Sequence, residues 1–199
     1  MYSFHLRPNL TGAPMFVDAL LTPEECQSVI AFGERSLTLR TAKTEDHQVH
    51  ANLRKSEISW IGPDGEHRWL FDRLRDCIND LNTNWFGFDL IGFEGIQFTK
   101  YAYTPGVEGE GDFYSSHKDT ATLPGGTVRK LSFTLQLSPP ESYGGGDVLL
   151  YNSLIDTVTL NRAVGSATFF SAYTIHEVQP VIRGVRYSLV GWAYGPAFR

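Results

Sequence analysis

Three side chains able to bind a metal stand out by type and spacing in the C-terminal half of the chain. His117 and Asp119 lie two apart in Tyr114-Ser115-Ser116-His117-Lys118-Asp119, a stretch read as a strand, so both project to one side. His176 opens a further strand after a glycine-bounded segment, where it can supply a third ligand from the opposite side of a barrel. Two imidazoles and one carboxylate on one face of an octahedral metal leave three positions open, an arrangement suited to non-haem Fe(II) and oxygen chemistry. Ten residues after His176, Arg186 and Ser188 share a strand face with Val190 and Trp192. A cation and a hydroxyl in one concave interior would receive the far carboxylate of a small dianion.

The elements that must position these residues follow from the periodicity. Thr22-Pro23-Glu24-Glu25 supplies a capping residue, a proline at the first helical position and a glutamate at the capping-box position. Cys26, Val29, Ile30 and Leu37 then recur at helical spacing. From about Glu66 a second helix carries Leu70, Leu74, Cys77, Ile78, Leu81 and Trp85 on one face. Residues 38–56 between them are polar and aperiodic, which reads as a mobile loop or lid. After residue 92 the period becomes two. Leu131, Phe133, Leu135 and Leu137 alternate with Ser132, Thr134 and Gln136, and further strands are expected over 94–103, 112–119, 147–151, 156–160, 166–170, 176–182 and 185–194. Gly125-Gly126 and Gly144-Gly145-Gly146 read as turns. Helices followed by many short strands predict a mainly β chain with α: a jelly-roll core over 93–199, with the helical part, 1–92, packed on one outer face as a single domain, 1–199.

Composition narrows the function. The 199 residues are 42% hydrophobic, and 17 basic side chains face 22 acidic ones, for a net charge of −5. That balance fits a globular chain and offers no general grip on nucleic acid or anionic membranes. No apolar run approaches the roughly 18 residues needed to span a bilayer, and the N-terminus MYSFHLRPNL lacks a signal-type core, so a cytoplasmic location is expected. Cys26 and Cys77 read as core thiols in a reducing compartment. Ser116 cannot form a hydrolase triad with its neighbours, the glycine runs lack the lysine of a phosphate loop, and His47 and His50 read as surface residues of the polar loop.

The pattern His117-x-Asp119, then His176, then Arg186-x-Ser188 resembles the Fe(II)/2-oxoglutarate-dependent dioxygenase superfamily, and within it the prolyl-4-hydroxylase-like branch with its bacterial and phage relatives. LTPEECQSVIAFGE, RKSEISWI, IQFTKYAYTPG, FYSSHKDT, RKLSFTLQLS, YGGGDVLLY and GSATFFSAYTIHEVQPVIRGVRYSLVGW recur in the family's order. The resemblance implies a double-stranded β-helix fold. It also implies Fe(II) held by His117, Asp119 and His176, and 2-oxoglutarate chelating that iron with its far carboxylate on Arg186, helped by Ser188 and Tyr101. Parity supports Tyr101 independently, because Gln97, Thr99, Tyr101 and Tyr103 share one strand face. With O2 as co-substrate, the implied reaction hydroxylates an unactivated C–H bond and releases succinate and CO2. Asp119 matters here, because related halogenases have a small residue at that position. A prolyl residue in a peptide or protein is the leading substrate, and a free amino acid or other small metabolite the alternative. Wall residues are expected among Trp60, Tyr103, Tyr114, Tyr173 and Trp192, with Arg54, Arg162 or Arg183 to meet a carboxylate or main chain. A non-catalytic cupin-like module holding a metal or ligand is the rival from another class, against which the complete triad and Arg186 both speak.

Overall fold

The computed structural model describes residues 13–37, 53–105, 111–152 and 156–198. Most of the polar loop expected at 38–56, with His47 and His50, lies outside them. The strands are β1 (Met15–Val17), β2 (Arg54–Lys55), β3 (Glu57–Ile61), β4 (Gly92–Phe93), β5 (Ile96–Ala102), β6 (Phe113–His117) and β7 (Thr127–Gln136). They continue with β8 (Tyr143–Gly145), β9 (Val148–Tyr151), β10 (Thr157–Thr159), β11 (Ala167–Ser171), β12 (Ile175–Val178) and β13 (Val181–Pro196). They form two antiparallel sheets. The larger runs β1-β11-β7-β13-β5-β3, with β4 and β8 also on β13, and the smaller runs β10-β9-β12-β6-β2. This is the expected jelly roll with its double-stranded β-helix core.

Alternation along the strands of the larger sheet separates two interiors. Leu131, Phe133 and Leu135 of β7, Phe98 of β5 and Leu189 of β13 face the helices α1 (Pro23–Ser36) and α2 (Arg68–Leu81), where they bury against Cys26, Val29, Leu70, Leu74 and Ile78. The helix lies so close to the sheet that a Cβ on Gly33 would fall 2.5 Å from the Phe98 ring. The opposite face, with Tyr101 and Phe170, meets Val148, Leu150 and Val178 of the smaller sheet. The expected capping box is present: the Thr22 hydroxyl accepts from the Glu25 N–H at 3.2 Å, and the Glu25 carboxylate accepts from the Thr22 N–H at 2.9 Å. That carboxylate also takes a bidentate pair from Arg73 at 2.6 and 2.9 Å, tying the start of α1 to α2.

Several boundaries differ from the sequence expectation. The second helix ends in a π-helical turn over Asn82–Phe86, whose extra residue rotates the apolar face, so Trp85 is only half-buried and Phe86 is buried instead. The strand expected at 112–119 stops at His117, leaving Asp119 in the following connection. The strands expected at 176–182 and 185–194 are divided earlier, at Gln179-Pro180, where the proline can donate no ladder hydrogen bond. β13 instead runs through Gly184, whose φ of +67° and close approach to the Ser142 carbonyl admit no side chain, and Gly144-Gly145 pair with it as β8 rather than forming only a turn. The end of the 38–56 segment is not loop either. Arg54 and Lys55 pair with Tyr114 and Phe113, and Arg54 and Ser56 are buried.

Candidate active site

His117 and His176 are register partners on β6 and β12 of the smaller sheet, their ring centroids 4.2 Å apart. Each Nδ1 faces a carbonyl two residues back, Ser115 at 2.7 Å and Thr174 at 3.0 Å. A carbonyl only accepts, so the proton sits on Nδ1 and the Nε2 lone pair is free for a metal. Asp119 reaches the same point without sharing the strand. Its N–H donates to the Ala172 carbonyl at 3.1 Å, and Oδ2 accepts from the Ser132 hydroxyl at 2.8 Å. Its carboxylate lies 3.6 Å from His117 Nε2 and 3.4 Å from His176 Nε2, and one ligand atom from each of the three residues falls within 4.8 Å of the others. Burial alone would raise the Asp119 pKa, but His176, His117 and Ser132 together hold it well below the carboxylate range. Burial pushes the His176 imidazole down, against the pull of Asp119, so it is neutral and able to ligate at neutral pH. Two imidazoles and a carboxylate converging on one point, with each Nδ1 turned to a carbonyl, fit an octahedral divalent iron.

The interior continues from this point along the strands of the larger sheet. Ser132 lies opposite Trp192 in the β7–β13 register, and Gln136 opposite Ser188 further along. Arg186 is 4% exposed, donates from Nη1 to the Ser188 hydroxyl at 3.2 Å, and sits 5.7 Å over the Tyr101 ring. With Thr134, Thr168, Gln136, Tyr143 and Arg162 it lines a narrow pocket, partly open to solvent. A buried guanidinium with one hydroxyl partner beside hydroxyl-bearing walls fits the far carboxylate of a keto acid. The structure therefore brings together His117, Asp119 and His176 at one end of the interior, and Arg186, Ser188 and Tyr101 at the other.

The expected wall residues divide. The Tyr114 ring stacks on His117, centroids 3.5 Å apart and planes 16° from parallel, and the Arg54 guanidinium lies 4.7 Å over its centroid. Trp192 is buried, with Trp60 at 6.0 Å and the Arg129 guanidinium 4.0 Å over its ring. Trp60 and Tyr173 are exposed rather than enclosed. Tyr103 lies past the end of β5, its N–H on the Gly184 carbonyl, at the Arg186 end and away from the triad. Of the three arginines, Arg183 bonds the Glu141 and Tyr143 carbonyls, and Arg162 pairs with Asp147. Arg54 is buried and bonded to the oxygens of Ser56 at 2.9 Å and Gln97 at 2.8 Å. Sequence reasoning had not assigned roles to Ser132 or Gln97. Their places on the polar sides of two alternating strands were the available signal.

Comparison with known proteins places these features in a family. A profile of the 2OG-Fe(II) oxygenase superfamily matches residues 96–194, which run from β5 into β13 and include the triad and Arg186. A PKHD-type hydroxylase of Acaryochloris marina is 43% identical over 88% of this chain and 75% of its own length. Another, from Hyphomonas neptunium, is 40% identical over 42% of this chain, and that match spans only 38% of the relative. Among solved structures, a Pseudomonas putida prolyl-4-hydroxylase superposes with a TM-score of 0.71 at 20% identity, covering 92% of this chain and 93% of that one. A Trichoplax adhaerens prolyl hydroxylase, in complex with a hypoxia inducible factor peptide fragment, gives 0.70 at 18% identity, covering 93% and 84%. The likeness to solved structures shows a prolyl-4-hydroxylase-like fold and the sequence relatives carry the descent: the chain belongs to the 2OG-Fe(II) oxygenase superfamily, whose enzymes are dioxygenases using Fe(II), 2-oxoglutarate and O2.

Proposed function

We propose that the protein hydroxylates an unactivated C–H bond of a prolyl residue in a peptide or protein, with release of succinate and CO2. His117, Asp119 and His176 hold Fe(II), and Arg186, with Ser188 and Tyr101, anchors 2-oxoglutarate. The observation that carries this reading is the shared interior: the triad closes one end of it, and a buried guanidinium with no acidic partner among the described residues lines its continuation. When bound, iron and keto acid supply an oxidant able to take hydrogen from an unactivated carbon. The chain's own residues bind, orient and exclude. Ser132 fixes the Asp119 carboxylate, the Ser115 and Thr174 carbonyls fix the imidazoles, and Tyr114 and Trp192 wall the space beside them. Trp192 Nε1 is a buried donor with no partner among the described residues, suited to a substrate carbonyl. The prolyl hydroxylases among the structural neighbours, one of them holding a peptide, support a peptide or protein substrate. A free amino acid or small metabolite is the second reading, favoured by the buried Arg54, which among the described residues bonds only neutral oxygens. The unpaired thiols Cys26 and Cys77 accord with a cytoplasmic location, and none of the described helices is long and apolar enough to cross a membrane.

The test is an anaerobic titration with Fe(II) and then 2-oxoglutarate, followed by the visible charge-transfer band of the chelated keto acid. Prolyl peptides and free amino acids are then screened by succinate release in air. A band in the parent protein, lost in His176→Ala while the fold survives, is expected. A fully folded parent protein that binds metal and gives no band refutes the proposal and favours a binding module.

A further inference from the structure

Tyr143 of β8 is 2% exposed and lines the same narrow pocket as Arg186. A Cβ built on Gly146 would lie 3.1 Å from Arg186 Cδ and 3.5 Å from Tyr143 Cε2, so the arginine stem and the tyrosine ring flank one point. What the Tyr143 hydroxyl does there follows from the buried amide of Gln136. Gln136 Nε2 lies 3.0 Å from the Ser138 carbonyl, which only accepts, so this end of the amide is the nitrogen. Its other hydrogen goes to the Tyr143 oxygen, also at 3.0 Å. The phenol is the acceptor in that bond, and its own hydrogen has no acceptor among the described residues. The residue is held from several sides. Its carbonyl accepts from Arg162 at 3.4 Å and from Arg183 at 3.2 Å, and it pairs with Gly184 of β13. The Arg162 guanidinium, bonded to Asp147, lies 4.3 Å from its ring centroid.

The bonds around the pocket connect this phenol to the anchor. Arg186 donates to the Ser188 hydroxyl, Ser188 stands opposite Gln136 in the β7–β13 ladder, and Gln136 donates to Tyr143. Of the two arginines lining the pocket, Arg162 has Asp147, whereas Arg186 has no acidic partner among the described residues. The pocket therefore suits one anion, with a neutral donor beside the cation. A buried hydroxyl hydrogen left without an acceptor is costly, and a carboxylate on Arg186 would still have lone pairs to offer it. We infer that Tyr143 is a specificity-determining residue of the keto-acid site: its O–H donates to the far carboxylate that Arg186 pairs with, and so favours a dicarboxylic keto acid over a monocarboxylic one. This inference rests on the iron and 2-oxoglutarate reading above and adds to it a donor that the sequence pattern did not assign.

The measurement titrates the Fe(II)-loaded protein anaerobically with 2-oxoglutarate and with 2-oxopentanoate, which keeps the chain length and has a methyl group in place of the far carboxylate. The charge-transfer band of the chelated keto acid reports both. Tyr143→Phe should weaken 2-oxoglutarate binding by about 10- to 100-fold and leave 2-oxopentanoate within about threefold of the parent protein, so the preference for the dicarboxylate falls. Fe(II) affinity, measured by chelator competition, should hold. Tyr143→Phe also leaves a Gln136 hydrogen without its acceptor. If that variant does not fold, Gln136→Leu combined with Tyr143→Phe removes both partners of the bond, and the same shift is read against Gln136→Leu alone. A loss of less than about threefold for 2-oxoglutarate in the folded variant overturns the assignment, by showing that the hydroxyl gives the carboxylate nothing. An equal loss for both keto acids overturns it too, by making the tyrosine a support of the pocket wall. Absence of any band with 2-oxoglutarate in the parent protein fails the iron reading itself and is thereby distinguished.

Discussion

Replacing Arg186 by methionine tests the anchor end of the site with little change in side-chain length. In the structure its guanidinium is buried and among the described residues gives one hydrogen bond, to Ser188, so most of its donor fork is left for the pocket it lines. A carboxylate placed there would take two charge-assisted bonds in a setting with little water. Removing one partner of such a buried pair costs about 3–5 kcal/mol. At about 1.4 kcal/mol per decade, 2-oxoglutarate affinity should fall by roughly two to three and a half orders of magnitude. Arg186→Lys keeps the charge and loses the fork, so a loss of about tenfold is expected. Fe(II) binding should not change, since the triad lies at the other end of the interior. The melting temperature without keto acid should hold or rise, because among the described residues the parent protein buries that cation with one neutral oxygen and the Tyr101 ring but no anion. Anaerobic titration of the charge-transfer band gives the affinity, and calorimetry gives the melting temperature. A shift of less than about threefold in the folded methionine variant would show that the keto acid is anchored elsewhere.

Ser132→Ala removes the 2.8 Å bond to Asp119 and should weaken Fe(II) binding by about 10- to 100-fold with the fold intact, measured by competition with a colorimetric chelator. Gly33→Ala places a methyl group 2.5 Å from the Phe98 ring and should lower stability by about 1–3 kcal/mol in urea unfolding, with Fe(II) affinity retained. The hydrogen bond from Arg73 holds the Glu25 carboxyl below its usual range, so the pair's contribution is complete above a pH of about 4.3 and is lost as acid protonates Glu25 in the folded state. Arg73→Met should therefore cost about 0.5–1 kcal/mol at neutral pH, with the difference from the parent protein shrinking below about pH 4. A constant difference across that range would mean that packing on Trp69, and not charge, gives Arg73 its effect.

The parts of the fold legible in the sequence were those written in local periodicity. The alternation of β7 told its helix-facing residues from its interior ones, and Thr22-Pro23-Glu24-Glu25 marked the start of α1 to the residue. The triad was legible too, though through a pairing that the backbone does not use. Asp119 stands beyond the end of β6 and is steered by Ala172 and Ser132, residues distant in sequence that no spacing rule can supply. Arg54 was hidden differently. It sits in a polar, aperiodic stretch, and what buries it is pairing with β6 and a bond to Gln97, both long-range.

The division of β7 into alternate residues also constrains how this protein can change over evolutionary time. Leu131, Phe133 and Leu135 belong to the core against the helices, while Ser132, Thr134 and Gln136 line the chemistry, so the strand carries two messages in one reading frame. Deleting a single residue would exchange them, turning apolar groups onto the iron site and hydroxyls into the core, so that folding and function would fail in one step. New specificities therefore have to come from substitutions that keep the frame, or from changes in the connections between strands. The scaffold tolerates novelty at its margins because its centre permits almost none.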